Sequence, residues 1–315
     1  MQPERREVRS RNVERAFTRI CSFPFRLWHY AINVRRTRRR NPRAGCLQTS
    51  LAMRRWIPIA AEPKRGISLF ELTHKKLNMK TRVEKLYDRY WIKHEHPYRK
   101  LEAVLTESIK PGMNILEQGC GRTAPLLNKY RHTGAILHGV DLVDFTSVHP
   151  NMNLVKSSIE DLPFKADEFD LVFSRSVMEH VNNPKLAYKE AFRVLKKGGR
   201  WIFLTPNRWD YVSIISRLVP NRFHGKVVNL TTGREEDDVF PVVYESNSWW
   251  QINEACKSAG FRIQTFDYLG QHPQYFGFSP LLYRIATVYE KMILSTELLR
   301  GVRGWLFVVL EKPRD

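Results

Sequence analysis

Glu117, Gly119 and Gly121 close a short apolar run, Asn114-Ile115-Leu116, and a helical pattern opens immediately after them. The two glycines let a chain turn sharply off a strand and let a ligand come close where a Cβ would clash. A second apolar run, Ala135 to Val140, ends in Asp141, 24 residues beyond Glu117. A carboxylate at the end of that strand can reach ribose hydroxyls. A glycine loop followed by a strand-end acid describes a nucleotide-type site.

Further motifs follow in order. They are Glu160-Asp161-Leu162-Pro163-Phe164, Phe169-Asp170-Leu171-Val172-Phe173-Ser174 and Met178-Glu179-His180-Val181. The last, Arg193-Val194-Leu195-Lys196-Lys197-Gly198-Gly199, runs into Trp201-Ile202-Phe203-Leu204-Thr205-Pro206-Asn207. With the glycine loop, the stretch from Met113 to Asn207 resembles the class I S-adenosylmethionine-dependent methyltransferases, in the type 11-like branch that mostly modifies small molecules. The resemblance implies S-adenosyl-L-methionine as cofactor and a small-molecule, lipid-linked or glycan methyl acceptor.

At matching positions the resemblance also implies roles. Glu117 stands near the methionyl end or the ribose side of the loop, and Gly119 and Gly121 give close backbone approach. Asp141, followed by Leu142, takes the ribose hydroxyls; Ile159 and Glu160 flank the adenine; Ser174 closes the fourth strand beside the cofactor. Glu160 reads equally as a loop acid. Cys120, between the glycines, reads as a compact filler rather than a nucleophile. Tyr90 is the aromatic expected at the cofactor's amino-acid end, although core packing is the commoner fate of the stripe that carries it.

Methyl transfer is an in-line displacement with a sulfonium leaving group, so alignment of the two reactants supplies much of the rate. A hydroxyl acceptor also benefits from a base near neutral pKa, and His180 and His224 are the candidates. A structural hydrogen-bonding role suits His180 equally. Glu179-His180 resembles the tail of a metal-binding Glu-x-x-Glu-His pattern, but Ser176 replaces its first glutamate and no metal site is expected.

Thr123 stands where the family loop usually has a third glycine, and Ser157-Ser158 where it has Gly-Asp. Both strand-end acids survive these changes, so cofactor binding is expected. The chain has Ser174-Arg175-Ser176-Val177 where amino-adenine and glutamine methyltransferases carry an Asn/Asp-Pro-Pro-aromatic motif. No cysteine lies between Cys120 and Cys256, which demotes cytosine-C5 chemistry. An aromatic group (Trp209, Tyr211, Trp249, Trp250, Tyr268, Tyr275, Phe276) favours a sizeable, partly apolar acceptor.

The 315 residues suffice for a well-buried core and carry a formal net charge of +20. The charge is uneven. Residues 1–66 hold 16 Arg, 1 Lys and 4 Glu, a balance of +13 that includes Arg35-Arg36-Thr37-Arg38-Arg39-Arg40. Such a leader can bind nucleic acid or an anionic membrane, and an RNA- or membrane-surface adaptor with a Rossmann-like body is the competing function. A dispensable tail is the plainer reading of residues 1–78. The four cysteines lie far apart, without a CxxC pair, which suits a reducing, cytoplasmic setting. No apolar run reaches the roughly 18 residues of a membrane span.

The elements that must hold these residues alternate between strand and helix. Val83, Leu86, Tyr87, Tyr90 and Trp91 give a helix over Lys80–His94, and Pro97–Ile109 gives another with Tyr98, Leu101, Val104 and Leu105 on one face. Strands are expected at 113–118, 135–142, 153–157, 169–174, 201–205, 261–268 and 305–312. Helices are expected at 123–130, at 184–195 with a glycine cap at Lys197-Gly198-Gly199, and at 248–259 before Gly260. The short crossover at 143–151, with Pro150, leaves little room for a full helix. This order predicts an α/β Rossmann-like, doubly wound, mostly parallel seven-stranded sheet with an antiparallel last strand. Residues 79–315 are the catalytic domain, with helical cap insertions at about 208–246 and 270–300 expected over the acceptor pocket.

Overall fold

The computed structural model describes residues 81–146, 150–218 and 240–315. The basic leader and residues 219–239, with His224, lie outside the described residues. The strands are β1 (Asn114–Gln118), β2 (Ile136–Asp141), β3 (Met152–Lys156), β4 (Phe169–Arg175), β5 (Leu195–Pro206), β6 (Arg262–Leu269) and β7 (Trp305–Glu311). They form one sheet in the order β3-β2-β1-β4-β5-β7-β6. The first five pair in parallel, and β7 inserts antiparallel between β5 and β6. The expected Rossmann-like sheet with its antiparallel last strand is borne out.

Helices are α1 (residues 81–90), α2 (Pro97–Ser108), α3 (Pro184–Val194), α4 (Tyr211–Leu218), α5 (Trp249–Ala259) and α6 (Pro280–Leu294). Each face of the sheet has its own core, because side chains alternate along a strand. Ile115, Leu171, Phe173 and Ile202 meet Leu101 and Leu105 of α2 on one face. Leu116, Val172, Trp201 and Phe203 meet Ala187 and Tyr188 of α3 and Ile252 of α5 on the other. Two core layers thereby fix the carboxyl ends of β1, β2, β4 and β5 along one edge.

Caps explain several boundaries. Ser248 accepts the Gln251 N–H at the start of α5, and Gly260 ends that helix at φ +94°, in the left-handed region that favours glycine. Asn183 accepts from Leu186 N–H ahead of α3, where Pro184 occupies the first turn. The end of α3 differs from expectation. Leu195 is already extended and opens β5, and Gly198 (φ +79°) donates its N–H to the Lys312 carbonyl inside the sheet. Pairing with the end of β7 takes this segment into the strand, so the glycines serve an irregularity in β5.

The helix expected at 123–130 is also replaced. Only a 3-10 turn, Leu127–Tyr130, forms there. Pro125 has no N–H to donate, Ala124 has φ +43°, and the Leu127 N–H is taken by the Glu117 carboxylate. Helix α1 ends at residue 90, short of the span that the periodicity suggests, and α6 gives way to a 3-10 segment, Glu297–Val302.

Candidate active site

A cavity of about 700 Å3 opens at the carboxyl ends of β1, β2 and β4, within the size range of small-molecule sites. Its floor is the glycine loop. Gly119 and Gly121 sit at φ +69° and +73°. A Cβ on Gly119 would overlap the Val177 side chain, whereas one on Gly121 would meet no atom within 4 Å and would project into open space. The loop is pinned to β2, because the N–H groups of Gly119 and Cys120 both donate to the Val140 carbonyl, at 2.8 and 3.1 Å.

Asp141 lines the cavity and completes this attachment. Its Oδ2 accepts the Gly121 N–H at 2.7 Å and its Oδ1 the Val143 N–H at 3.2 Å. Each carboxylate oxygen keeps a lone pair for a further donor. Glu117 is 3% exposed and accepts the Leu127 N–H at 2.9 Å. Burial pushes its pKa up to about 8, against the pull of the Arg175 guanidinium and of the Leu127 bond. Cys120 packs over Gly139, where a Cβ would come within 2.8 Å of its Sγ, and burial raises the thiol pKa well above the ordinary value. A buried, protonated thiol suits a filler.

Leu142, Ile159, Glu160 and His180 also line the cavity. Glu160 turns part of its carboxylate to the loop after β4, where Oε1 accepts the N–H groups of Asn182 and Asn183 at 3.1 and 2.9 Å. His180 places Nδ1 3.0 Å from the Pro241 carbonyl oxygen. A carbonyl only accepts, so Nδ1 carries the proton and Nε2 holds the basic lone pair. That Nε2 lies 3.9 Å from Glu179, which is itself buried and accepts from the Thr205 hydroxyl.

Residues 116–203 match a family model described as a methyltransferase domain. Squalene methyltransferase 2 from Botryococcus braunii is 27% identical over 50% of this chain and 42% of its own length. Cycloartenol-C-24-methyltransferase 1 from Oryza sativa subsp. japonica is 27% identical over 54% of this chain and 48% of its own length. An uncharacterized protein from Methanocaldococcus jannaschii is 25% identical over 60% of this chain and 78% of its own length. The matched region is the one that holds the glycine loop, the strand-end acids and the motifs after β4. Over this region the chain is similar to methyltransferase domains, which supports the class I S-adenosylmethionine-dependent resemblance. It spans less than half the length of the algal and plant relatives.

The residues of this site fit S-adenosyl-L-methionine. The open side of Gly121 leaves room above the loop, Asp141 stands ready for a diol, and Glu117, its pKa raised by burial, would be drawn to ionise beside a cationic ammonium or sulfonium. Nine of the twelve residues expected from sequence therefore share one cavity: Glu117, Gly119, Cys120, Gly121, Asp141, Leu142, Ile159, Glu160 and His180.

The other three do not join them. His224 lies outside the described residues. Tyr90 is not among the cavity-lining residues; it packs against the cluster of Leu86, Trp91 and Tyr283, with the Arg89 guanidinium 5.3 Å from its ring. Ser174 is fully buried one residue before the end of β4 and does not line the cavity, whereas its successors do.

Sequence reasoning missed those successors and their partner. Arg175, Ser176, Val177 and Tyr98 all line the cavity. The Tyr98 hydroxyl lies 3.2 Å from the Ser176 Oγ, and the Arg175 guanidinium sits 4.6 Å over the Tyr98 ring and 3.4 Å from Glu102. Periodicity groups Tyr98 with the apolar face of α2, and only the position of α2 over the sheet edge brings its hydroxyl to the site. The available signal was the polar pair Arg175-Ser176 directly after the fourth strand. Conversely, none of the aromatic residues expected around the acceptor lines this cavity. Trp250 is 74% exposed, Trp249 packs on Phe266, and Tyr211 stacks on Phe276.

Proposed function

We propose that this chain transfers a methyl group from S-adenosyl-L-methionine to a small, largely apolar acceptor. The observation that carries the proposal is a single cavity lined both by the glycine loop, Glu117 and Asp141 and by Tyr98, Val177, His180 and Phe240. When bound, the cofactor supplies an electrophilic methyl on a sulfonium. The chain's own residues then orient and shield. Gly119 and Gly121 admit the ligand to the loop backbone, and Asp141 holds its diol. Val177, Val181 and Phe240 exclude water, and His180 Nε2 can take a proton if the acceptor is a hydroxyl. Names of relatives that act on squalene and on a sterol support an apolar acceptor.

In this reading residues 79–315 form the catalytic unit; of the two expected caps, the first reaches the cavity through Phe240 and Pro241, and no residue of 270–300 lines it. Cys120 and Cys256 are free and buried, in keeping with a reducing, cytoplasmic setting. No helix among the described residues is long and apolar enough to cross a membrane. The test is calorimetric titration of the cofactor, followed by incubation with methyl-labelled cofactor and separate isoprenoid, sterol and polar metabolite fractions. Cofactor heat with label appearing in an apolar fraction supports the proposal. Absence of heat at millimolar cofactor rejects it, and label confined to the polar fraction rejects the apolar acceptor.

A further inference from the structure

Helix α6 has two apolar faces. Tyr283, Ala286, Thr287, Glu290 and Ile293 are buried against the body of the protein. On the opposite side Leu281, Ile285, Val288 and Met292 recur at i, i+4, i+7 and i+11, and are 68%, 57%, 69% and 53% exposed. At 3.6 residues per turn these four fall within about 60° of arc along roughly 16 Å of helix. A water-facing helix surface normally carries polar residues. Leu298, 94% exposed in the following 3-10 segment, extends the apolar side chains beyond the helix end.

The exposed charges that α6 itself carries are basic. Arg284 falls along one edge of the stripe by the same helical geometry, as does Lys291, whose ammonium contacts His94 and lies 4.8 Å from the Trp91 ring, and Arg300 follows Leu298 and Leu299. The only acid in α6, Glu290, is on the buried face. The exposed acid nearby, Glu297, is paired with Arg303 at 2.7 Å. A second copy of a chain with net charge +20 would bring like charge to this face, and so would the chain's own leader at +13 over residues 1–66. An anionic lipid surface offers both an apolar interior and opposite charge.

We propose that the outer face of α6 docks this protein on an anionic lipid surface. Leu281, Ile285, Val288 and Met292 enter the boundary between headgroups and acyl chains, while Arg284 and Arg300 meet lipid phosphates. The inner face of α6 connects to the candidate active site. Thr287 accepts the Trp91 indole N–H at 3.2 Å, and the Trp91 ring lies 4.7 Å from His272. His272 lies 5.0 Å from His96, which lies 5.0 Å from Tyr98 in the cavity wall. The docking surface is independent of the acceptor's identity.

Flotation of the full chain with phosphatidylcholine vesicles, with and without phosphatidylglycerol, tests it. The wild type should float with the anionic vesicles only, and the bound fraction should fall as salt rises. The Ile285→Glu/Val288→Glu variant should lose at least about tenfold in vesicle affinity while keeping the wild-type cofactor heat in calorimetry. The milder Ile285→Gln/Val288→Gln variant should show an intermediate loss, which covers the chance that two new acids disturb the helix. Flotation unchanged in both variants would overturn the proposal and assign binding to the Arg-rich leader. Failure of the wild type to float would overturn it outright. So would a dimer that the variants convert to monomer with no effect on flotation. Cofactor heat reports on the methyltransferase reading separately, so the two can fail independently.

Discussion

At the scale of single residues, Asp141 carries the sharpest consequence. Its carboxylate already holds two loop N–H groups and, in the proposed function, also a ribose diol. Asp141→Ala should weaken cofactor binding by about 1–3 kcal/mol, read by calorimetry, because a charge-assisted bond is lost and the Gly121 N–H is left without its acceptor. His180 lines the same cavity. If the acceptor is a hydroxyl, His180→Ala should lower kcat by about 100-fold or more with cofactor affinity unchanged, since a base acts in the transition state. A variant with full turnover across neutral pH would leave His180 only its contact to the Pro241 carbonyl.

At the scale of elements, the glycine loop separates two kinds of constraint. Gly119 and Gly121 share a left-handed backbone, but only Gly119 has a neighbour, Val177, where a Cβ would sit. Gly121→Ala should therefore cost backbone strain of about 1–3 kcal/mol in thermal unfolding and place a methyl against the bound cofactor. Gly119→Ala should be more destabilising still, and Val177→Ala in the same chain should recover part of that loss while leaving the strain. Equal effects of the two glycine substitutions, or no rescue by Val177→Ala, would contradict this steric account. The element after the loop carries a related lesson. Pro125 and the Glu117–Leu127 bond turn an apparent helix into a 3-10 turn, which brings a buried acid against the floor of the site.

For the whole molecule, buried acids link the sheet to its caps. Glu290 of α6 accepts the Gln271 N–H beyond β6, and burial, with Asp210 nearby, raises its pKa from 4.5 to about 8. Asp210, ahead of α4, is raised by burial from 3.8 to about 7. Between its ordinary and raised pKa each group binds more protons folded than unfolded, so stability falls as pH rises through that window. Glu290→Gln should flatten the decline between about pH 4.5 and about pH 8 and raise the melting temperature most at its alkaline end. Scanning calorimetry across that range checks the sign. A wild type whose stability rises with pH, together with a variant that melts lower at pH 8, would show Glu290 to be charged and paired.

Much of this architecture is written in local sequence. Alternating apolar runs and the Gly260 stop are short-range signals, and the structure places the sheet and helix α5 where they point. Glu117, Gly119, Gly121 and Asp141 were legible for the same reason, since each sits at a strand end whose position the pattern announces. What only the tertiary structure decided depends on contacts between distant segments. Tyr98 meets Ser176 across the sheet edge, and Tyr90 turns to Trp91 and Tyr283 instead of the cavity. Gly198 joins a strand because the Lys312 carbonyl accepts its N–H. Helix α6 shows the limit most clearly. Its composition reads as amphipathic, but only packing determines which of two apolar faces is buried and which is left outside. Periodicity records that a face is apolar, whereas the partner that covers it is chosen by the fold.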